Sequence, residues 1–207
     1  FNVKAMILSL LLDDNIMCPE NIAEGYDIFT GKGNQSEDVN GEIHTGDAWE
    51  PARQRFCGDD PRNMPVALVV FGDKSHFDLH GTLSTLPLTF TLSCFNLKSR
   101  NSSKFWRPLA FISNLSYGAT SSKNSAKPLE SLQDEHECLK ACFKELIDIH
   151  RSGGIRTTVM GRPVILKVWI HFFVGDTSGN NRWLGHFNGS GMLTCPYRDC
   201  RCSFEEM

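Results

Sequence analysis

The chain has 207 residues, of which 41% are apolar and 22% charged, with a formal net charge of −3. That suits one domain, or one with a small appendage, and an ordinary globular core. No apolar run reaches the ~18 residues of a membrane-spanning helix, and the acidic balance argues against strong autonomous binding to nucleic acid.

The first expected element is a short apolar helix over residues 3–12. Its "AMILSLLL" stretch is followed by Asp13 and Asp14 rather than by a small-residue cleavage site, which argues against a signal peptide. The first residue is Phe1 and the first Met is Met6, which suggests a piece of a longer protein. Residues 13–46 are rich in Asp, Asn, Gly and Glu without periodicity and read as loop. A short helix fits Thr45–Cys57 provided that Pro51 lies in its first turn.

Three strands follow. Val66–Phe71 is continuously apolar, as for a strand covered on both faces. Leu86–Phe95 alternates, with Leu88, Phe90, Leu92 and Cys94 on one side and Thr89, Thr91 and Ser93 on the other, so a half-buried strand is expected. Trp106–Ile112 is the third, and Pro108 suggests an edge or a bulge. Together they predict an antiparallel meander. A helix is expected over 132–150, with Ser131 as N-cap and Asp134 three residues on. Leu139, Cys142, Phe143, Leu146 and Ile147 form its apolar stripe, and Gly153 and Gly154 stop it. Strands over Ile155–Met160 and Val164–Val174 flank a Gly161-Arg162 turn, and a Cys-rich tail ends the chain.

Charge is unevenly spread: −8 over residues 1–73, +6 over 74–127 and −1 over 128–207. The middle block is a candidate polyanion-facing surface, or it merely offsets the acidic first third. Eight cysteines and four N-x-S sequons, at Asn34, Asn101, Asn114 and Asn188, would fit a secreted disulfide framework. Cys18, Cys57, Cys94, Cys138 and Cys142, however, sit in apolar or helical contexts where a free thiol serves as a small hydrophobe. A reducing compartment is favoured.

The two most apolar strands both end in Gly-Asp: Gly72-Asp73 and Gly175-Asp176. Gly-Asp is also common turn chemistry. A meander, a helix and a further strand are how ribonuclease-H-like domains begin, and there the first and fourth strands lie side by side. Their converging carboxylates hold two divalent ions about 4 Å apart for phosphoryl transfer. Mg²⁺ or Mn²⁺ would suit two or three acids. Asp78 competes with Asp73 for this role, and His76 and His80 lie nearby. In the tail, Cys195, Cys200 and Cys202 with His186 would suffice for tetrahedral zinc, although the C-x4-C-x-C spacing is not a standard zinc pairing. Trp106 with Arg107, and Arg182 with Trp183, are cationic–aromatic neighbours of a kind that contacts nucleic acid and equally of a kind that packs a core rim.

The stretches "GDAWEPARQRFC", "FGDKSHFDLHGTLSTLPLTFTLSCFN", "FWRPLAFISNL" and "VWIHFFVGDTSGNNRWLGHFN" resemble transposase-like proteins of the Plavaka/CACTA kind, from about Glu42 to Cys202. These are cut-and-paste DNA transposases with a ribonuclease-H-like DDE core. By that resemblance Asp73 matches the first metal-binding acid and Asp176 the second, and the Cys-rich segment is zinc-like. The resemblance also implies a third acid, usually a Glu on a later helix. Glu205 and Glu206 follow the Cys cluster too closely to match it.

The expected architecture is therefore mixed α/β. An irregular N-terminal extension over 1–60 precedes an incomplete ribonuclease-H-like core over 61–190 and a Cys-rich tail over 191–207. The expected function is that of part of a DDE transposase, nuclear and inactive alone, acting on DNA with Mg²⁺ or Mn²⁺, as a monomer or a homo-oligomer and without a membrane. Lys74, Lys98, Arg100, Lys104, Arg107 and Arg182 are the candidate phosphate contacts. A non-catalytic binding module derived from such a fold, and a secreted disulfide-stapled domain, are the alternatives.

Overall fold

A run of apolar residues that cannot face water on either side becomes the middle of a sheet. In the computed structural model, which describes residues 2–33, 41–73, 75–76, 84–113 and 128–175, that run is β1 (Asn63–Gly72). Around it, in chain order, come α1 (Val3–Leu11), α2 (Trp49–Cys57), β2 (Ser75–His76), β3 (Ser84–Leu92), α3 (Leu97–Arg100), β4 (Arg107–Ser113), α4 (Pro128–Arg151), β5 (Ile155–Val159) and β6 (Arg162–Val174). The fold is mixed α/β, as expected from the sequence. One sheet contains all six strands: β3, β1, β6 and β5 are successive neighbours, and both β2 and β4 pair with β3.

The registers show how the sheet is built. Ser75 pairs with Thr85 and His76 with Ser84, antiparallel. Eight residues back from Ser75 is Ala67, and eight on from Thr85 is Ser93; the Ser93 amide donates to the Ala67 carbonyl at 2.9 Å. β2 thus continues the line of β1, and β3 runs antiparallel to both. Among the described residues β4 pairs only with β3, so Pro108 lies on an edge strand there, where a missing N–H is tolerated. On the other side of β1, the Ile165 amide donates to the Arg62 carbonyl at 2.8 Å, and the Arg162 guanidinium donates to the Pro61 carbonyl. Both strands set out from this junction. The rest of β6 can accompany β1 only by running the same way, so the central pair is parallel and the sheet mixed.

The chain divides into two compact units, one of Phe1–Val70, Thr89–Leu109 and Phe143–Phe172, the other of Phe71–Leu88, Ala110–Cys142 and Phe173–Met207. In the first, every residue from Met64 to Val70 is buried, as are Phe90, Leu92, Phe95, Leu166, Val168 and Trp169. α1 buries Val3, Ile7, Leu10 and Leu11, one helical stripe. Asn2 caps it by accepting from the Ala5 amide, and the Glu145 carboxylate of α4 accepts from the Val3 and Lys4 amides at 2.7 and 3.1 Å. A carboxylate there satisfies otherwise orphaned donors and complements the helix dipole. In the second unit, the Thr85 hydroxyl of β3 donates to the Ile112 carbonyl of β4.

Three expectations need correction. Leu88, Phe90 and Leu92 of β3 and Cys94 just beyond it are buried, but Thr91 and Ser93 on the other side are buried too. Around Ser93 the N-terminal segment lies against this side. The Ala23 amide donates to the Cys94 carbonyl, Ile22 bridges to Phe95, and Leu11 and Ile28 share a small cavity with Leu92–Cys94. α4 starts at Pro128 rather than after a Ser131 cap. Proline at the first helical position has a suitable φ and no N–H to leave unpaired.

The β5–β6 hairpin turns on Met160-Gly161, one residue earlier than the sequence suggests, since Val159 pairs with Arg162. Both turn residues have positive φ, 49° at Met160 and 76° at Gly161. This is the twist that a two-residue hairpin requires, and glycine or asparagine meets it without a side-chain clash. Met160 is exposed and strained. Met160→Asn is expected to raise stability by about 0.5–1 kcal/mol, read as a higher urea midpoint at unchanged slope.

Candidate functional site

β1 hands a carboxylate to solvent at its end. After Gly72, itself buried, comes Asp73, which is exposed. No ionisable residue occurs within β1, because a strand buried on both faces cannot host one without a partner. The strand surfaces first at Phe71, and Asp73 is the first charged residue after it. Beside β1, β6 ends at Val174, and Gly175 is half-exposed. Counting from the Arg62–Ile165 junction, Asp73 lies eleven residues along one strand and Asp176 eleven along the other in sequence. Asp176 lies outside the described residues, as do Lys74, Asp78, His80, Arg182, His186, Cys195, Cys200, Cys202, Glu205 and Glu206; for His76 the backbone alone is described. Among the described residues, no three His, Cys, Asp or Glu side chains stand close enough to share a metal ion.

The basic residues of the middle block divide into anchors and free ends. Arg100 is an anchor. Its guanidinium is 2.8 Å from the Glu42 carboxylate and also donates to the Phe95 carbonyl, while the second Glu42 oxygen accepts from the Leu97 amide at 3.0 Å. Both side chains are largely shielded, 12% and 20% exposed. Arg107 donates to the Ser9 hydroxyl and to the Lys104 and Trp106 carbonyls. The Trp106 indole N–H donates to the Arg100 carbonyl at 2.6 Å. The arginine–tryptophan neighbourhood thus spends its donors on the protein's own backbone. Lys98 is exposed, and exposed Lys104 reaches the Asn15 carbonyl and lies 5.7 Å over the Phe105 ring. Of these cations, the two lysines are the ones presented outward.

The described cysteines, Cys18, Cys57, Cys94, Cys138 and Cys142, are free thiols. Burial pushes Cys57 up to about 11 and Cys94 up to about 12, so both stay protonated and inert near neutrality.

A ring cluster with no local signature lies in the first unit. Trp49 of α2 has Tyr26 at 5.8 Å, Trp169 at 5.8 Å and His171 at 5.3 Å between ring centroids, and Tyr26 in turn has His44 at 5.0 Å. The Trp49 indole N–H donates to the Gly31 carbonyl at 2.7 Å. These rings come from four separate stretches of chain, so no local periodicity could have joined them.

The chain matches no family model, and comparison with curated proteins and with solved structures also finds no match.

Two outcomes are expected from this geometry. Arg100→Ala leaves the shielded Glu42 carboxylate without its partner and should cost about 2–3 kcal/mol, while Lys98→Ala should cost less than about 0.5 kcal/mol, both measured by chemical denaturation. In the folded protein at pH 8, Cys57 and Cys94 should resist iodoacetamide that labels them readily after unfolding; mass spectrometry of the labelled peptides reads this directly.

Proposed function

We propose that this chain carries part of a ribonuclease-H-like catalytic core of the DDE kind, in which Asp73 and Asp176 together bind Mg²⁺ or Mn²⁺ for phosphoryl transfer on DNA. The observation that carries the reading is the central pair of strands. β1 and β6 are neighbours that start level from the Ile165–Arg62 hydrogen bond, and each is followed, at the same count, by an aspartate. The pairing of β3 with both β1 and β4, with α4 leading to the next strands, supports it, as does the resemblance of the "GDKSH" and "FFVGD" stretches to Plavaka/CACTA-type transposases.

The residues suit the ion. Asp73 is an exposed carboxylate at the end of a rigid strand, and Mg²⁺ takes few carboxylates and keeps waters and substrate phosphates. When bound, the ions supply activation of the attacking oxygen and stabilisation of the leaving one. The chain's own part is to hold the two carboxylates together, which two like charges resist in the absence of a cation, and to offer Lys98 and Lys104 to phosphates. The reading assigns two acids and leaves the third unassigned. It places the protein's work in the nucleus. Cys195, Cys200, Cys202 and His186 remain a proposed zinc set. Free thiols at the five described cysteines weigh against the disulfide-stapled alternative.

The test is Mn²⁺ binding by isothermal titration, paired with nicking of supercoiled DNA in Mn²⁺. Asp73→Asn and Asp176→Asn should each weaken Mn²⁺ binding by about tenfold or more while leaving the thermal transition of the metal-free protein in place or raising it. Unchanged Mn²⁺ affinity in both variants would overturn the shared site. Intact affinity loss without any nicking by the parent chain would leave metal binding standing and move the reading to a non-catalytic module.

A further inference from the structure

The ring cluster around Trp49 contains two imidazoles that can accept a proton only at cost. His44 is 94% buried by its relative exposure of 6%. Its ring lies so close to Gly33 that a Cβ there would fall 2.2 Å from Cδ2, and its Nδ1 is buried without a hydrogen-bond partner. His171, half-buried on β6, accepts at Nδ1 from the Trp169 indole N–H at 3.5 Å. That bond puts the His171 proton on Nε2, which is buried and has no acceptor. A second proton would have to enter at Nδ1, setting two donors, His171 and Trp169, face to face.

We propose that this cluster is an acid-released clasp, in which protonation of His44 and His171 frees the segment bearing Tyr26, Gly31 and His44 from Trp49. What ties the segment to Trp49 is the Trp49–Gly31 hydrogen bond and the rings themselves; elsewhere it is held by Phe29 under the Arg162 guanidinium, by buried Ile28 and by Glu42 on Arg100, so the release is local to Trp49. The surrounding charges do not rescue the protonated forms. Around His44, Glu42 favours a proton and Arg100 opposes it, and Glu42 is already engaged by Arg100 at 2.8 Å. Tyr26 is held neutral, its burial pushing the phenol well above its usual range. Around His171 stand Trp49 of α2 and Trp169 and Phe172 of β6, all uncharged. Arg53, one turn beyond Trp49, is paired with Glu50. Burial lowers the proton affinity of both imidazoles below the usual histidine range. The released segment therefore binds protons before the closed one does. The clasp is at full strength above about pH 6.5 and weakens as pH falls below it.

Amide and indole hydrogen exchange of the full chain, corrected for intrinsic rates, tests this. Between pH 7.5 and 5.5 the Trp49 indole N–H should lose protection by about tenfold or more, while β1 and β6 amides keep theirs. The double variant His44→Gln, His171→Gln should lose this pH dependence. Protection that does not change with pH, or changes equally in the double variant, overturns the clasp. Should that variant fail to fold, imidazole titration of the parent chain by NMR decides. Both His44 and His171 must titrate below the ordinary histidine range; either one titrating at or above it overturns the proposal.

Discussion

The hydrogen bond from the Ile165 amide to the Arg62 carbonyl joins residues more than a hundred positions apart, and most of the molecule depends on the pairing it begins. β1 is apolar along nearly its whole length, so it must be flanked on both edges and covered on both faces. β3 satisfies one edge through a near continuous hairpin. The other edge waits for β6, beyond β4, α4 and β5. Closing so long a loop costs entropy that only the completed pair recovers. The tight β5–β6 hairpin helps, because it delivers β6 with its register already set by Val159–Arg162 pairing. The strain at Met160 is then the local cost of a turn that fixes a long-range contact.

The N-terminal segment is the second constraint. It has almost no regular structure beyond α1 and α2, yet many of its described polar groups find partners, buried His44 Nδ1 excepted. Asn21 binds the Ile16 carbonyl and accepts from Ser99, Asn96 caps α3 and donates to the Glu20 carbonyl, and Glu42 meets Arg100. Irregular backbone against a sheet is stable only when its donors and acceptors find such partners. One result is that the end of β3 is buried on its polar side. Another is that the basic character of the middle block is partly structural: Arg100 and Arg107 neutralise or tie down the acidic first third, and the lysines are left to face outward.

Much of the sheet was legible in the sequence because it rests on local signals. Continuous apolarity marked β1, alternation marked β3, and paired glycines marked the end of α4, where Gly153 and Gly154 both take positive φ. Several of the places where expectation and structure part trace to contact at long sequence separation, and the others to local backbone geometry. Thr91 and Ser93 read as solvent-facing because alternation reports polarity, not what lies above the strand. Ser131 read as a cap because capping residues are recognised by type, while Pro128 starts the helix for a backbone reason. The Trp49 cluster was invisible for the first reason: Tyr26, His44, Trp49 and His171 each look ordinary alone. At the candidate site, Asp73 was legible through its strand, and the separation of Arg100 from Lys98 and Lys104 was not, because charge composition does not distinguish a paired cation from an exposed one.

That separation bears on how a net acidic chain would meet DNA. Phosphate contacts contribute through release of counterions, and only cations presented to solvent take part. If Arg100 is spent on Glu42 and Arg107 on the backbone, the middle block contributes less attraction than its formal charge of +6 implies. On the proposed reading, affinity for DNA would then depend more on ions that Asp73 and Asp176 would hold than on a basic surface, because a bound divalent cation would turn a repulsive pair of carboxylates into a point of contact for phosphate. Binding by this route should be sensitive to the divalent ion as well as to ionic strength, whereas a purely basic patch would respond to ionic strength alone.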